Sequence, residues 1–395
     1  MEYVDKLKEF LKNDNVKGFV DLLFDFALTK RASDIHIESY SDISRIRFRI
    51  DGKLRNILEY EKNKHSQIST KIKIMAQMNI SEKRLPQDGR IKLDKYQDTD
   101  FRISTLNTVN GEKVEIRILS FEQFKANSNL LGFSENSKVQ LKKVLKMPYG
   151  MLIFSGPTGS GKSTSLYSLL NGINDEYKNI ITVEDPVEYE IYGINQVAIN
   201  ENIGLSFHKV LRSILRQDPD IIMIGEIRDQ TTAQIAVRSA ITGHLVLTTL
   251  HTNDALSSII RLKDLGVEEY LLSSSITAVA SQRLVRKLCD CKKEVRITKD
   301  QLRILKQFDN SIDENYKIYK PCSCSKCNDG YLGREAVEEV CLLSDELKNL
   351  IKQGNFTKNQ LLEVARKNGF KTMFENAVTK VIEGKTSFEE IIDIL

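Results

Sequence analysis

Residues 156–163 read Gly-Pro-Thr-Gly-Ser-Gly-Lys-Ser, and this stretch determines the fold class of the chain. It follows the apolar run 151–155 and precedes a segment of helical composition, which is the strand, loop and helix context of a complete P-loop. Glycines let successive backbone N–H groups face phosphates, the lysine reaches the β- and γ-phosphates, and the last serine ligates Mg²⁺. The predicted nucleotide-binding residues are Gly156, Pro157, Thr158, Gly159, Ser160, Gly161, Lys162, Ser163 and Thr164.

Acidic residues follow two further apolar runs. Residues 180–183 lead into Glu184, and residues 221–224 lead into Gly225-Glu226. Ligands of parallel sheets bind at the carboxyl ends of the strands, so both acids are expected beside the P-loop. One carboxylate would orient and activate water while the other holds the Mg²⁺ shell. The alternative is that both are solvated loop acids, which is the usual fate of Asp and Glu.

Two of the five histidines of the chain, His244 and His251, flank the apolar run 245–249. If that run is a strand of the same sheet, a histidine beside it is placed to contact the γ-phosphate. A structural role for both histidines is the alternative interpretation.

Residues 1–124 are predicted to form a small α+β domain. Amphipathic helical patterns come first, and runs in which apolar and polar residues alternate follow them. The run 45–50 alternates arginine with large apolar residues and ends at Asp51-Gly52, a hairpin dipeptide. Its arginines are interpreted as a solvated basic face: Arg45, Arg47 and Arg49.

From about residue 137 the pattern changes to short apolar runs that alternate with helical segments, as expected for a parallel sheet covered by helices. The predicted fold class is therefore α/β, with a P-loop core, a smaller α+β amino-terminal domain and a helical carboxyl-terminal region. The predicted divisions are 1–124, a linker at 125–136, the core at 137–285, a cysteine-rich region at 286–340 and helices at 341–395.

The composition excludes several classes of protein. The chain has 395 residues, 41% hydrophobic and 28% charged, with a net charge of +4, which is ordinary for a globular protein. Its longest apolar runs fall well short of the roughly 18 residues that a membrane span needs, and the amino terminus lacks a continuous apolar region of a secretory signal. We therefore expect a cytoplasmic protein. The modest charge disfavours direct nucleic-acid binding.

Five of the six cysteines form two clusters, Cys289-Asp290-Cys291 and Cys322-Ser323-Cys324-Ser325-Lys326-Cys327. In a cytosolic protein such clusters favour Zn²⁺ over disulfides. The spacing leaves the ligand set open: Cys289 and Cys291 are separated by a single residue, so Cys322 is an alternative ligand beside Cys324 and Cys327. The same spacing is compatible with reduced thiols that bind no metal, or with half of a metal site. Cys341 lies in an apolar run and is expected in the core.

Taken together, these motifs resemble the GspE/PilB family of type II secretion and type IV pilus assembly ATPases. The resemblance implies a RecA-like hexameric motor that uses ATP and Mg²⁺, with the nucleotide between the core and a PAS-like amino-terminal domain. It runs from about residue 32 to the carboxyl terminus. Besides the P-loop, the matching stretches are residues 32–36, 84–90, 184–189, 215–220, 225–229, 242–244 and 251–254.

The resemblance also implies residue roles. Glu184 would belong to the aspartate box, Glu226 to the Walker B segment, and His244 and His251 to the histidine box. Arg102 and Arg117 match the arginines that reach the triphosphate from the amino-terminal domain. Such an arginine stabilises phosphoryl charge and couples hydrolysis to domain closure. A solvated basic face is the alternative for both arginines.

The implied function is ATP hydrolysis that powers assembly of a type IV pilus or pseudopilus, in secretion, DNA uptake or motility. The implied partners are further copies in a homo-hexamer and an inner-membrane platform protein. Family members commonly carry a further amino-terminal domain, so this chain is expected to be a short form similar to competence ATPases. A retraction ATPase, a weakly hydrolysing scaffold and a nucleic-acid translocase are the competing interpretations. The cysteine clusters disfavour a retraction ATPase, because retraction members lack that insertion.

Overall fold

The computed structural model describes residues 2–120, 132–308 and 312–394. The chain divides into two compact units, Met1–Ala126 and Asn127–Leu395. Most of the linker predicted at 125–136 lies outside the described residues, which resume at residue 132.

The first unit is a six-stranded antiparallel sheet with helices on one face. The strand order is β3-β2-β1-β6-β5-β4. The elements are α1 Glu2–Lys12, α2 Val16–Thr29, β1 Ala32–Ser39, β2 Ile43–Ile50, β3 Lys53–Glu61, α3 His65–Met75, β4 Gln87–Lys92, β5 Thr99–Thr108 and β6 Gly111–Ser120.

Strand β2 follows the alternation of its sequence. Ile46, Phe48 and Ile50 are buried in the cluster formed with the helices, while the arginines between them are half-buried on the opposite face. The hairpin to β3 turns through Asp51-Gly52, both at positive φ, 50° and 86°, which is the backbone that a tight hairpin needs. The alternation therefore separates an apolar face from a basic face.

The second unit contains a seven-stranded sheet in the order β15-β12-β7-β11-β10-β8-β9. All neighbouring strands run parallel except β12 and β15. The strands are β7 Gly150–Ser155, β8 Ile180–Glu184, β9 Asn195–Ala198, β10 Ile221–Ile224, β11 Leu245–Leu250, β12 Ile276–Leu288 and β15 Tyr331–Leu342. The helices around it are α4 Glu135–Val144, α5 Lys162–Asn171, α6 Phe207–Ile214, α7 Gln230–Ile241, α8 Ser257–Asp264, α9 Glu269–Ser275, α11 Asp345–Lys352 and α12 Lys358–Lys367.

The four strands predicted from continuous apolar runs are confirmed at β7, β8, β10 and β11. Every residue of these strands is buried. Parallel strands covered on both faces lack the polar alternation of an exposed sheet, which explains their uniform apolar character. Their hydrophobic cluster includes Val210 of α6, Ala236 of α7, Leu272 of α9 and Leu347 of α11.

A smaller subdomain holds the cysteines. Strands β13 Lys293–Arg296 and β14 Lys317–Lys320 form a two-stranded sheet, and helices α10 Lys299–Leu305, α13 Met373–Ile382 and α14 Phe388–Ile391 share one apolar cluster. Residues 331–340 are predicted to belong to the cysteine-rich region, whereas in the structure they form most of β15 in the central sheet. Within the described ranges, no helix combines the length and the apolar character that crossing a membrane requires.

Candidate functional site

The P-loop lies between β7 and α5, as its sequence predicts. Gly161 precedes the helix at φ 88° and Gly156 leaves the strand at φ 138°, both in the left-handed region that favours glycine. A Cβ atom on Gly156 would lie 2.5 Å from the carbonyl oxygen of Gln282, so a side chain there would meet backbone. Glycine at both positions is thus required by conformation or by close packing.

Gln282 of β12 supports the P-loop, a role that no motif in the sequence indicates. Its side-chain amide donates to the carbonyl oxygen of Ser160 over 2.8 Å, and its Oε1 accepts from the hydroxyl of Ser165 over 2.7 Å. Gln282 is 2% exposed, so both hydrogen bonds are sheltered from water. One buried amide side chain therefore connects the P-loop to the first turns of α5 and fixes their relative position.

Lys162 is placed where an anion would be bound. Its Nζ donates to the carbonyl oxygens of Gly156 and Pro157 over 2.7 and 3.0 Å. Burial lowers the pKa of Lys162, and the charge of Glu226 opposes that shift. Ser160 Oγ is buried without a hydrogen-bond partner among the described residues. A buried cation, an unsatisfied hydroxyl and the glycine-rich backbone form a donor set that fits nucleotide phosphates with their Mg²⁺.

The predicted carboxylates reach the same edge of the sheet as the P-loop. Strands β7, β8, β10 and β11 run parallel, so their carboxyl ends share that edge. Glu184 ends β8, Gly225-Glu226 follows β10 and His251 follows β11. A Cβ atom on Gly225 would lie 3.3 Å from Cα of Glu184, which shows how closely the two strand ends approach.

Glu184 is buried and its carboxylate is held by three side chains. Thr182 and Gln196 donate to Oε1 over 2.5 and 3.2 Å, and the hydroxyl of Tyr167 donates to Oε2. Burial raises the pKa of Glu184, while the three donors oppose that shift by stabilising the ionised form. The side chain is thus fixed in orientation.

Glu226 lies within a cluster of charged groups. His251 Nε2 is 3.4 Å from its Oε2, and Arg228 pairs with its Oε1. The same guanidinium is 3.5 Å from Asp185, which follows Glu184. Arg228 therefore links the acids of both strand ends. Arg228 belongs to the stretch 225–229 that resembles the secretion ATPases, but the sequence alone predicts no role for it.

The structure separates the two histidines. His251 lies at the carboxyl edge beside Glu226, whereas His244 precedes β11 and lies at the opposite edge. The carbonyl of His244 accepts from the N–H of Gly150, the first residue of β7, and its Nδ1 is 3.0 Å from the carbonyl oxygen of Ser239. Within one chain, His244 thus lies at the start of β7, whereas the P-loop follows the end of that strand. The catalytic role of His244 stays a prediction.

Arg102 and Arg117 belong to the first unit, where they face each other across β5 and β6. Arg90 of β4 lies opposite Arg102, and Asp34 of β1 lies opposite Arg117. Arg117 Nε donates to Asp34 over 3.3 Å. Arg90 Nε also donates to Asp100 over 2.6 Å, so acids of the same sheet pair with two members of this row of arginines. The roles of Arg102 and Arg117 at a nucleotide stay predictions.

The basic face of β2 is less solvated than predicted. Arg47 donates to both carboxylate oxygens of Glu38 over 2.8 and 2.7 Å, and Arg45 also lies within 3.5 Å of that carboxylate. Arg49 Nε is 3.4 Å from Asp34. Acids of β1 thus neutralise much of this face, which sequence alternation alone does not reveal.

Four cysteines form a compact cluster. It contains both cysteines of the first sequence cluster and two of the three in the second, so it favours one of the ligand sets that the sequence leaves open. The Sγ atoms of Cys289, Cys291, Cys324 and Cys327 lie within 4.8 Å of one another. The closest pairs are 3.9, 3.7 and 3.5 Å apart. A tetrahedral site with Zn–S bonds of about 2.3 Å has sulfur–sulfur edges of about 3.8 Å. These three distances are close to that edge length, so the cluster is compatible with Zn²⁺.

Cys322 and Cys341 lie outside this cluster. The carbonyl oxygen of Cys322, rather than its sulfur, accepts a hydrogen bond from the thiol of Cys291. The N–H of Cys324 donates to the sulfur of Cys327 over 3.2 Å, which stabilises negative charge on that sulfur. Cys341 is buried in the core, as predicted, and burial raises the pKa of its thiol to about 12.

Comparison with known proteins agrees with this geometry. The family model described as type II/IV secretion system protein matches residues 10–393. The type II secretion system ATPase E of Vibrio cholerae is 42% identical over 93% of this chain and 73% of its own length. The type IV pilus assembly ATPase PilB of Myxococcus xanthus is 42% identical over 99% of this chain and 70% of its own length.

A solved structure extends the comparison. The pilus retraction motor PilT with bound ADP aligns with a TM-score of 0.63 and 25% identity, covering 94% of this chain and 96% of its own. Likeness to that motor identifies the core as RecA-like. Because the family model spans nearly the whole chain and the relatives cover it at more than 40% identity, the chain belongs to the type II/IV secretion system protein family and is an ATPase of that family.

Proposed function

We propose that this chain is a Mg²⁺-dependent ATPase that works as a homo-hexameric motor in assembly of a type IV pilus or a type II secretion pseudopilus. The observation that carries the proposal is the sheet edge shared by the P-loop, Glu184, Glu226 and His251. The relatives that are secretion and pilus assembly ATPases favour assembly as the work performed.

The P-loop binds the phosphates of ATP in this proposal. Its backbone N–H groups and Lys162 hold the β- and γ-phosphates, and Lys162 is already buried beside the loop carbonyls. Ser163 and Glu226 would hold Mg²⁺ and its waters, and His251 and Arg228 contact the Glu226 carboxylate. When bound, Mg²⁺ neutralises charge on the phosphate oxygens.

Glu184 activates the attacking water. The water forms a bond to the γ-phosphorus as the bond to the β,γ-bridging oxygen breaks, giving ADP and phosphate, and Glu184 accepts the proton of the water. Three hydrogen bonds keep this carboxylate in one orientation. Its raised pKa makes it a stronger proton acceptor than a solvated glutamate, provided that it is ionised.

Arg102 and Arg117 supply positive charge to the triphosphate, and Arg90 is the neighbouring cation on the same row. An arginine carried by a separate unit stabilises phosphoryl charge only when that unit closes on the nucleotide. Hydrolysis and release then reverse the closure, which converts chemistry into motion.

The motor acts at the cytoplasmic face of the inner membrane, where its partner is the platform protein of the pilus or secretion machine. No direct nucleic-acid contact is part of the proposal. The cysteine cluster would hold one Zn²⁺ through Cys289, Cys291, Cys324 and Cys327, because their sulfurs all lie within 4.8 Å of one another. Bound Zn²⁺ would cross-link the loops on either side of the β13 and β14 sheet.

Replacing the chromosomal gene by one that encodes Glu184→Gln tests the direction of work. An assembly motor predicts that surface filaments, or secretion of the substrate, disappear while the amount of protein stays normal. The matched control is Glu176→Gln, an exposed acid in the loop before β8, and it is expected to leave filaments unchanged. A retraction motor predicts the opposite outcome, an excess of filaments, and a scaffold predicts normal filaments.

A further inference from the structure

Glu339 of β15 connects two segments that are far apart in sequence. Its Oε1 accepts the backbone N–H of Ala255 over 2.6 Å, and its Oε2 accepts the backbone N–H of Met373 over 2.7 Å. The residue is 3% exposed. A buried carboxylate that accepts one backbone hydrogen bond at each oxygen is a strong, directional contact.

The first of these segments belongs to the nucleotide site. Ala255 lies in the loop that connects β11 to α8, four residues after His251. The carbonyl oxygen of Asp254 in this loop accepts from the hydroxyl of Ser155 over 3.2 Å. Ser155 is the last residue of β7 and directly precedes the P-loop. The loop is therefore held between Ser155 on one side and Glu339 on the other.

The second segment begins helix α13. Met373 is the first residue of that helix, and its N–H is one of those that a helix cannot satisfy internally. Beyond the far end of α13, the carbonyl oxygen of Gly384 accepts from Nζ of Lys292 over 2.6 Å, and Lys292 directly follows Cys291. A continuous set of contacts thus runs from the P-loop through Glu339 and α13 to the cysteine cluster.

The surroundings of Glu339 decide its charge. Burial is the main cause that raises its pKa to about 7; the carboxylate of Asp254 acts in the same direction, while the two N–H donors and Lys358 act against it. The thiol of Cys341 on the same strand stays protonated because burial raises its pKa to about 12. Glu375, in the first turn of α13, accepts from Thr372 rather than from this site.

We propose that Glu339 is a positioning residue that holds residues 252–256 against the P-loop strand and thereby couples helix α13 to the nucleotide site. An ionised carboxylate accepts both N–H groups, whereas a protonated one turns one oxygen into a donor. Protonation or loss of the charge therefore releases the loop or the helix. The effect on turnover rests on the proposed ATPase function, but the effect on the loop does not.

Amide hydrogen exchange on the full-length protein measures the effect on the loop separately from the effect on turnover. With Glu339→Gln at pH 8, the amide of Ala255, of Met373 or of both is expected to exchange about tenfold faster than in the wild type, because an amide oxygen replaces only one of two acceptors. Unchanged exchange at both positions overturns the proposal. If the variant does not fold, the same measurement on the wild type tests the proposal. Protection of the amides of Ala255 and Met373, corrected for intrinsic exchange rates, is expected to decrease below pH 7. Constant protection across this pH range would refute the proposed role of Glu339.

The pH profile of ATP turnover then tests the consequence for the site. Glu339→Gln is expected to resemble the wild type near pH 6 and to fall about tenfold below it at pH 8, since only the wild type forms both contacts there. Glu338→Gln is the matched control: Glu338 is also buried on β15, but it accepts from Ser134, and its profile should follow that of the wild type. A uniform loss at both pH values, or the same change in Glu338→Gln, contradicts a positioning role. If no variant hydrolyses ATP, the exchange experiment still tests whether Glu339 holds the loop and the helix.

Discussion

The side-chain amide of Gln282 donates to the carbonyl oxygen of Ser160 across 2.8 Å, so a strand that is distant in sequence fixes the shape of the phosphate loop. The same side chain accepts from Ser165 in the following helix. Loop and helix are therefore oriented before any nucleotide arrives. Pre-organisation of this kind lowers the cost of ordering the loop upon binding.

Gln282→Leu is expected to raise the KM for ATP about tenfold while the protein stays folded, because two buried polar groups lose a partner, at about 1–3 kcal/mol each. Steady-state kinetics and thermal unfolding measure the two effects. Gln301→Leu provides the control, since Gln301 is also buried but caps helix α10 through Thr298. An unchanged KM in Gln282→Leu would show that the P-loop does not depend on β12.

Tyr167→Phe is expected to move the acidic limb of the turnover profile to higher pH. The Tyr167 hydroxyl donates to Glu184 and stabilises its ionised form, so removal of the hydroxyl raises the pKa of Glu184 further. The base is then protonated over a wider acidic range, and turnover near the wild-type midpoint decreases. Turnover measured from pH 5 to 9 checks this shift.

Two variants make the pH measurement specific. Tyr331→Phe removes another buried hydroxyl, which contacts Ser387, and should leave the limb in place. Glu184→Gln should bind ATP normally but hydrolyse it about a hundredfold more slowly, a typical loss for a missing general base. Full turnover in Glu184→Gln would remove that residue from the proposed chemistry.

Arg102→Ala is expected to lower turnover about tenfold while the protein stays folded, because the arginine supplies charge to the transition state. Arg45→Ala serves as the control, since Arg45 lies on the same sheet but contacts Tyr40 and Glu38. Equal loss of turnover in the two variants would point to a general effect of surface charge.

The cysteine cluster predicts one Zn²⁺ per chain. Cys324→Ser is expected to abolish bound zinc and to lower the unfolding temperature, because a structural zinc site contributes folding free energy. Cys322→Ser should keep its zinc, since its sulfur lies outside the cluster. Metal content by mass spectrometry and a thermal scan with a chelator measure both effects. Zinc loss in Cys322→Ser would mean that the ligand set is different.

Local sequence patterns were sufficient for the strands that carry the site. Residues 151–155, 180–183, 221–224 and 245–249 are continuous apolar runs, and all four are buried parallel strands. Residues 331–342 were not predicted as a strand because Glu335, Glu338 and Glu339 interrupt the apolar pattern. Burial of the last two acids depends on backbone donors from distant segments, which no local pattern contains.

The site itself was only partly predictable for the same reason. Motif spacing predicts Glu184 and Glu226 as site residues, and the structure places both at the P-loop edge of the sheet. Gln282 and Arg228 make contacts there that only the folded sheet creates. The two histidines look equivalent in sequence, and strand direction separates them. Likewise, spacing did not choose among the cysteines, whereas folding brings Cys291 to Cys327.

Hydrolysis of ATP at this P-loop underlies the whole proposed mechanism, and Mg²⁺-dependent phosphate release by the purified protein tests it most directly. We expect turnover by the wild type that requires Mg²⁺ and disappears in Lys162→Ala, whose missing ammonium group lies at the P-loop. Lys178→Ala, a variant at a lysine paired with Asp175 on the surface, should keep full activity. Turnover that persists in Lys162→Ala, or none in the wild type assembled as a hexamer, would contradict the mechanism.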